Sequence, residues 1–218
     1  GLEISDSTLR FVLWDGSVWQ NTAVRMPVGT LRAGVIQNRE FFLRSLVTLR
    51  SQIIQSDWSA SRVNVVVALS SRPIYTQRLM LPPHEKKDRE RVVDLNLRSA
   101  SPIPFEDAYV GWQVLPSSAS DHRTEILASF LEKSVVQSLN AALYEAGFTV
   151  VAIESRALAL SRVMRSSAET TDSCVVVHLD QNALDIALMR NGMLELDYLE
   201  SWPAETADDV FASSVVMQ

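Results

Sequence analysis

Cysteine is nearly missing from this chain, with one thiol, Cys174, in 218 residues. An internal disulfide framework is thereby excluded, and a buried, reduced thiol of the cytoplasmic kind is expected. Long apolar runs are also missing. No stretch approaches the ~18 residues that cross a bilayer as a helix, and no signal-peptide pattern opens the sequence. His84, His122 and His178 stand alone, without the H-x-E or C-x-x-C spacing of a metal site. No G-x-S-x-G elbow of a hydrolase is present. Lysine is scarce, three against seventeen arginines, and the arginines are scattered, so a nucleic-acid footprint is poorly supported. The first residue is Gly1 rather than Met, from which we expect that something upstream was removed or left out.

What is present suits a folded domain. Hydrophobic residues make up 47% and charged residues 21%, which argues against disorder. The net charge of -6 conceals an asymmetry, +3 over residues 1–168 and -9 over residues 169–218.

The chain is organised around residues 63–116. An apolar β-branched run over 63–69 is followed by a break at Ser70-Ser71-Arg72-Pro73 and a second strand over 74–81. Pro82-Pro83 ends that strand. Residues 84–100 have the spacing of an amphipathic helix, with Val92, Val93 and Leu97 on its inner face. Pro102 and Pro104 stop it, and residues 109–115 read as another strand.

Before this unit the chain reads as a three-strand meander over residues 2–4, 8–14 and 18–26, with a hairpin turn at Asp15-Gly16. Asn38 caps a helix over 39–55 whose apolar face is Phe42, Leu46, Leu49 and Ile53. That face packs on the first sheet or, as the alternative, lies on a membrane surface. After the unit come a polar loop over 117–121, a strand over 124–130, and a helix over 132–146 capped by Gly147. A strand over 149–154 and a short helix over 157–165 follow. From Tyr75 to Ile153 the order is βαββαβ, the ferredoxin-like pattern. Residues 166–172 read as a linker. A second meander spans 174–179, 184–189 and 194–199. A last helix over 203–218, with Glu205-Thr206 at its cap and Asp208-Asp209 in its first turn, is still running where the sequence stops.

The two matched meanders, with Gly1-Leu2-Glu3-Ile4-Ser5-Asp6-Ser7, residues 79–82, Ser101-Pro102-Ile103-Pro104-Phe105, residues 146–150, residues 154–162, His178-Leu179-Asp180 and Asp185-Ile186, resemble the PilM family of type IV pilus assembly proteins. They are also similar to the cytoplasmic domain of GspL of type II secretion. The resemblance implies an actin-like ATPase fold of class α/β (α+β). Its expected parts are a first-half core over 1–62, an inserted ferredoxin-like subdomain over 63–154, a return helix over 155–168, and the truncated start of a second half over 169–218. It also implies a fragment or a short relative, since family members continue further.

In such folds two turns grip the nucleotide phosphates, and glycine lets backbone N–H groups approach them. The resemblance puts the first turn at Glu3 to Ser7, with Glu3 and Ser5 where the family has Asp and Gly. The second lies at Leu179 to Asn182, with Gln181 in the place of its glycine. Ser5, Asp6, Ser7, Asp180, Gln181 and Asn182 are thus a vestigial cofactor site, or simply polar caps of two turns. No cofactor is the expectation, with ATP and Mg²⁺ as the alternative. Glu154, between a strand and a helix, is expected to cap or to close a turn rather than to catalyse.

The resemblance implies a non-catalytic adaptor at the cytoplasmic face of an inner-membrane platform. Its partner would be the cytoplasmic tail of a bitopic membrane protein, with an assembly ATPase as a further candidate, and without nucleic acid or a membrane span of its own. The apolar tail would dock on the first half near the inserted subdomain. The alternatives are an ATPase of the same fold and an unrelated ferredoxin-like binding module.

Overall fold

The computed structural model describes residues 1–14, 16–53, 62–70, 72–116, 124–166, 173–180 and 183–201. The expectations for Asp15, Ile54, Gln55, Ser71, the loop over 117–121, His122, the linker over 166–172 apart from Ser166, which ends a helix, Gln181, Asn182 and the helix over 203–218 fall outside them.

The chain opens with β1 (Leu2–Ile4), β2 (Thr8–Trp14) and β3 (Trp19–Arg25), an antiparallel meander. Alternation along β2 sends Leu9 and Phe11 inward and Val12 and Trp14 outward. A short hairpin, β4 (Leu31–Arg32) and β5 (Val35–Ile36), was not legible in the sequence. Helix α1 (Arg39–Ile53) begins where Asn38 Oδ1 accepts the Phe41 N–H at 3.0 Å. It buries Phe42, Leu46 and Leu49 completely against the sheet, so the membrane-surface alternative is excluded for this face. Each such side chain contributes about 1.5–3 kcal/mol on burial.

The strands β6 (Val63–Leu69) and β10 (Phe148–Ser155) run parallel to β1 in a five-stranded sheet of order β10-β6-β1-β2-β3. Between them lie β7 (Ile74–Met80), α2 (Arg89–Ala100), β8 (Ala108–Val114), β9 (Glu125–Glu132) and α3 (Lys133–Glu145). Only β7, β8 and β9 form the second sheet, antiparallel in the order β7-β9-β8.

This corrects the ferredoxin-like reading of the inserted unit and its boundaries at 63 and 154. β6 and β10 belong to the central sheet, and α3 packs Val135, Leu139, Ala142 and Leu143 into the same core as α1. The physical reason is burial. Val65, Val67 and Leu69 alternate on one face of a strand that β1 and β10 pair on either side, and that face is buried in the same core as α1 and α3. The inserted unit is therefore the narrower βαββ of β7, α2, β8 and β9. Its own core contains Leu81, Val93, Leu97, Ile126, Ala128 and Phe130, with Val92 and Val110 against them. The predicted packing of α2 on a sheet containing residues 109–115 holds. The helix starts at Arg89, after a 3-10 turn at Lys86–Asp88, rather than at His84.

Gly147 takes φ +88° at the end of α3, and a Cβ there would lie 2.7 Å from the Arg50 guanidinium, so glycine is required. Helix α4 (Arg156–Ser166) follows β10 directly, its first turn capped by Ser155 Oγ, which accepts the Leu158 N–H at 3.2 Å. The second meander comprises β11 (Ser173–Asp180), β12 (Ala183–Arg190) and β13 (Met193–Ser201). Its inner face, with Ala187, Met189 and Leu194, packs on α4. Cys174 is half-buried there, its thiol 3.9 Å from the Met164 sulfur.

Candidate functional site

Two places bring polar or apolar groups together in a way that could serve function. The first is the meeting of the two meander turns. Ser5 closes the β1–β2 turn on itself, its N–H donating to Thr8 O at 3.0 Å and its Oγ accepting the Thr8 N–H at 3.1 Å. Asp6 borders the turn pair, but its carboxylate is taken up elsewhere. Its carboxylate accepts the N–H groups of Ala33 and Gly34 at 2.8 and 3.1 Å, which fixes the β4–β5 hairpin at its positive-φ residues. Ser7 Oγ donates to Asp180 Oδ1 at 3.0 Å, joining residues 173 apart in sequence. So the structure brings Ser5, Ser7 and Asp180 together and commits Asp6 to a structural turn.

Sequence reasoning missed the arginines here. Arg156, at the start of α4 and nearly buried, makes ion pairs with Glu3 at 3.0 Å and with Asp185 at 3.5 Å. Arg10 pairs with Glu3 at 3.2 Å and approaches Asp180 at 3.9 Å. Glu3 belongs to the first meander and Asp185 to the second, so Arg156 is a clamp between the halves. His178 lies beside them, 3.9 Å from Glu3. Burial, and then the Arg156 charge, lower its pKa below the usual histidine value.

The space enclosed by Ser5, Asp6, Ser70, Arg72, Arg156 and Asp180 is about 10 Å³, the room of one water. Asp180 lies 3.9 Å from Arg10, and Asp185 lies 3.5 Å from Arg156. Among the described residues, the space beside Ser5 and Asp180 is smaller than a phosphate, and Asp180 already accepts from Ser7. Among the described residues no group of three His, Cys, Asp or Glu is arranged to hold a metal.

The second place is a groove of about 580 Å³. One wall is the face of the second sheet that α2 leaves bare, with Ile74, Leu127, Leu131 and Tyr109. The other is β10 and α4, and Val136 and Asn140 of α3 also line it. Val151 is exposed on this wall where the β10 register skips a residue. Gly111 of β8 also lines the groove, and a Cβ added to it would meet nothing within 4 Å. Glu154 forms a two-pronged ion pair with Arg162 at the rim, rather than a cap or a turn closure. The signal for this groove was indirect: an uncharged β8 and a strand at 149–154 that is apolar from Val150 to Ile153.

No family model matches the sequence, and no curated protein sequence matches it. Among solved structures, a chain of the PilM–PilN type IV pilus biogenesis complex is similar over the whole of this chain. Its TM-score is 0.77 at 18% identity, and this chain spans 66% of its length. The cytoplasmic domain of EpsL, an inner membrane component of the type II secretion system of Vibrio cholerae, is similar with a TM-score of 0.59 at 13% identity. This chain is covered completely and spans 76% of that domain. At these identities the likeness is one of fold. No described helix is long and apolar enough to cross a membrane. With the central sheet order, the inserted βαββ unit and the repeated meander, these likenesses show that the chain has the same actin-like α/β fold as those two structures.

Proposed function

We propose that this protein is a non-catalytic adaptor of a type IV pilus or type II secretion platform. It docks the cytoplasmic tail of a bitopic inner-membrane protein in the groove between the second sheet and β10. The observation that carries the reading is the groove itself: apolar walls, a volume of about 580 Å³, and a rim whose Glu154 and Arg162 neutralise each other. Support comes also from the likeness to a chain found in a PilM–PilN complex. The tight contact of the two turns argues against the ATPase alternative, because closure here is made by the protein's own Arg156 and Ser7. Bound in this way, the adaptor would sit at the cytoplasmic face of the inner membrane through its partner.

An apolar seat makes affinity only modestly dependent on salt, since exposed charges are screened beyond ~8 Å at physiological ionic strength. The test is a titration with the N-terminal tail of the bitopic partner at low and high salt, on the native chain and on Gly111→Trp. Saturable binding that persists at high salt and is lost in Gly111→Trp is expected. Binding that vanishes at high salt, or ignores the filled groove, overturns the proposal.

A further inference from the structure

The residues that line the groove are consecutive along two strands, Tyr109 to Gln113 on β8 and residues 150–155 on β10. A strand that shows only a face to a cavity contributes alternate residues, because successive side chains point to opposite sides. Consecutive lining means that the strand edge, with its backbone N–H and C=O groups, fronts the space. The pairing agrees: β8 and β10 are the outer strands of their sheets among the described residues.

The two edges are not equivalent. β10 carries a register shift between Val150 and Ala152, and a bulge of this kind twists an edge away from pairing. β8 keeps an unbroken register with β9 from Ala108 to Val114. Its sequence, Ala-Tyr-Val-Gly-Trp-Gln-Val, has neither a charge nor a proline to guard the edge. The charges that line the groove are Glu154, Arg162 and Arg165. Once Glu154 and Arg162 are paired, the balance is positive, which disfavours a basic segment and suits one with a carboxylate at its end.

Building on the docking reading, we infer that the groove takes its partner as an added strand. An extended apolar segment of about five residues, free of Lys and Arg, pairs with the outer edge of β8 and widens the second sheet to four strands. On the groove face its alternate side chains lie beside Tyr109, Gly111 and Gln113 of β8, and β10 with α4 closes over the other side.

The probe is a set of 12-residue peptides displayed on phage, selected on the full 218-residue chain and counter-selected on Gly111→Trp, with Val151→Arg as a second blocked variant. Peptides recovered on the native chain alone are then made synthetically, with each backbone N–H methylated in turn. Strand addition predicts that methylation weakens binding roughly tenfold at every second residue and little between, because only alternate N–H groups face the edge. Amide exchange along β8 should slow in the same complexes. Lysine at a paired position should weaken binding. If no peptide discriminates native chain from both blocked variants, the docking reading fails, and this inference with it. If peptides bind in the groove but tolerate methylation throughout, or lose affinity with a three- to four-residue period, docking stands and strand addition is wrong.

Discussion

The cleft between the two halves and the groove beside the second sheet are both bounded by strands of different sheets, and they have opposite contents. The cleft holds about 10 Å³ and is filled by Arg156, Arg10 and three carboxylates. The groove holds about 580 Å³ and is lined mainly by apolar side chains and a glycine. In the cleft, charges are spent on each other. In the groove, apolar surface is left open. The difference shows how one chain can close the junction of its two meanders with paired charges and still leave apolar surface open beside its inserted unit.

The largest expected effect comes from reopening the cleft. Arg156→Met leaves Glu3 and the buried Asp185 without their shared cation, and loss of one partner of a buried pair costs about 3–5 kcal/mol. Chemical denaturation should show a loss of about 3 kcal/mol, and the double variant Arg156→Met, Glu3→Gln should recover part of it. A loss near zero would mean that the cleft is not a clamp. Next is Gly111→Trp, which should lower tail affinity about 100-fold, or ~2.7 kcal/mol, with an unchanged melting temperature. Affinity that survives would dissolve the contrast between the two sites.

A smaller effect follows from His178. Its folded pKa is lowered, so the unfolded chain takes up the proton first as pH falls. The stability that neutral His178 contributes is whole above about pH 6.5 and declines as pH drops below that value. Melting temperatures measured from pH 7.5 to 5.0 should fall more steeply for the native chain than for His178→Gln. Parallel curves would contradict the assignment. Smallest is the response to ATP with Mg²⁺. Calorimetric titration should show no micromolar binding, and such binding would return the cleft to the role of a nucleotide site.

Much of the fold could be read from pattern. Both meanders, the Asn38 cap, the Gly147 stop and the apolar face of α2 follow from local spacing, and each is where the sequence put it. The inserted unit was drawn too wide because periodicity tells that a segment is a strand but not which strand it joins. Residues 63–69 and 148–155 alternate with helices in the same way whether they pair with β7 or with β1. Their near-continuous apolar character, typical of parallel strands, was the available signal. At the candidate site, Ser5 and Asp180 were legible as turn residues. The Ser7–Asp180 bond and the Arg156 clamp were not, because they join segments that only the closed structure brings together. The groove depends on strand order in two sheets and has no sequence motif at all.

Arg78 on β7 gives the groove a mechanical property. Its guanidinium donates twice to Glu125 of β9, at 2.7 and 2.5 Å, and also pairs with Glu195 of β13. The three side chains are largely shielded from solvent, at 20%, 25% and 20% exposed, so salt weakens the link less than it would a surface pair. A pull on β8 passes through the ladder to β9, and from Glu125 through Arg78 to the second meander. Tension applied to β8 therefore reaches the second meander by a path that bypasses the central sheet.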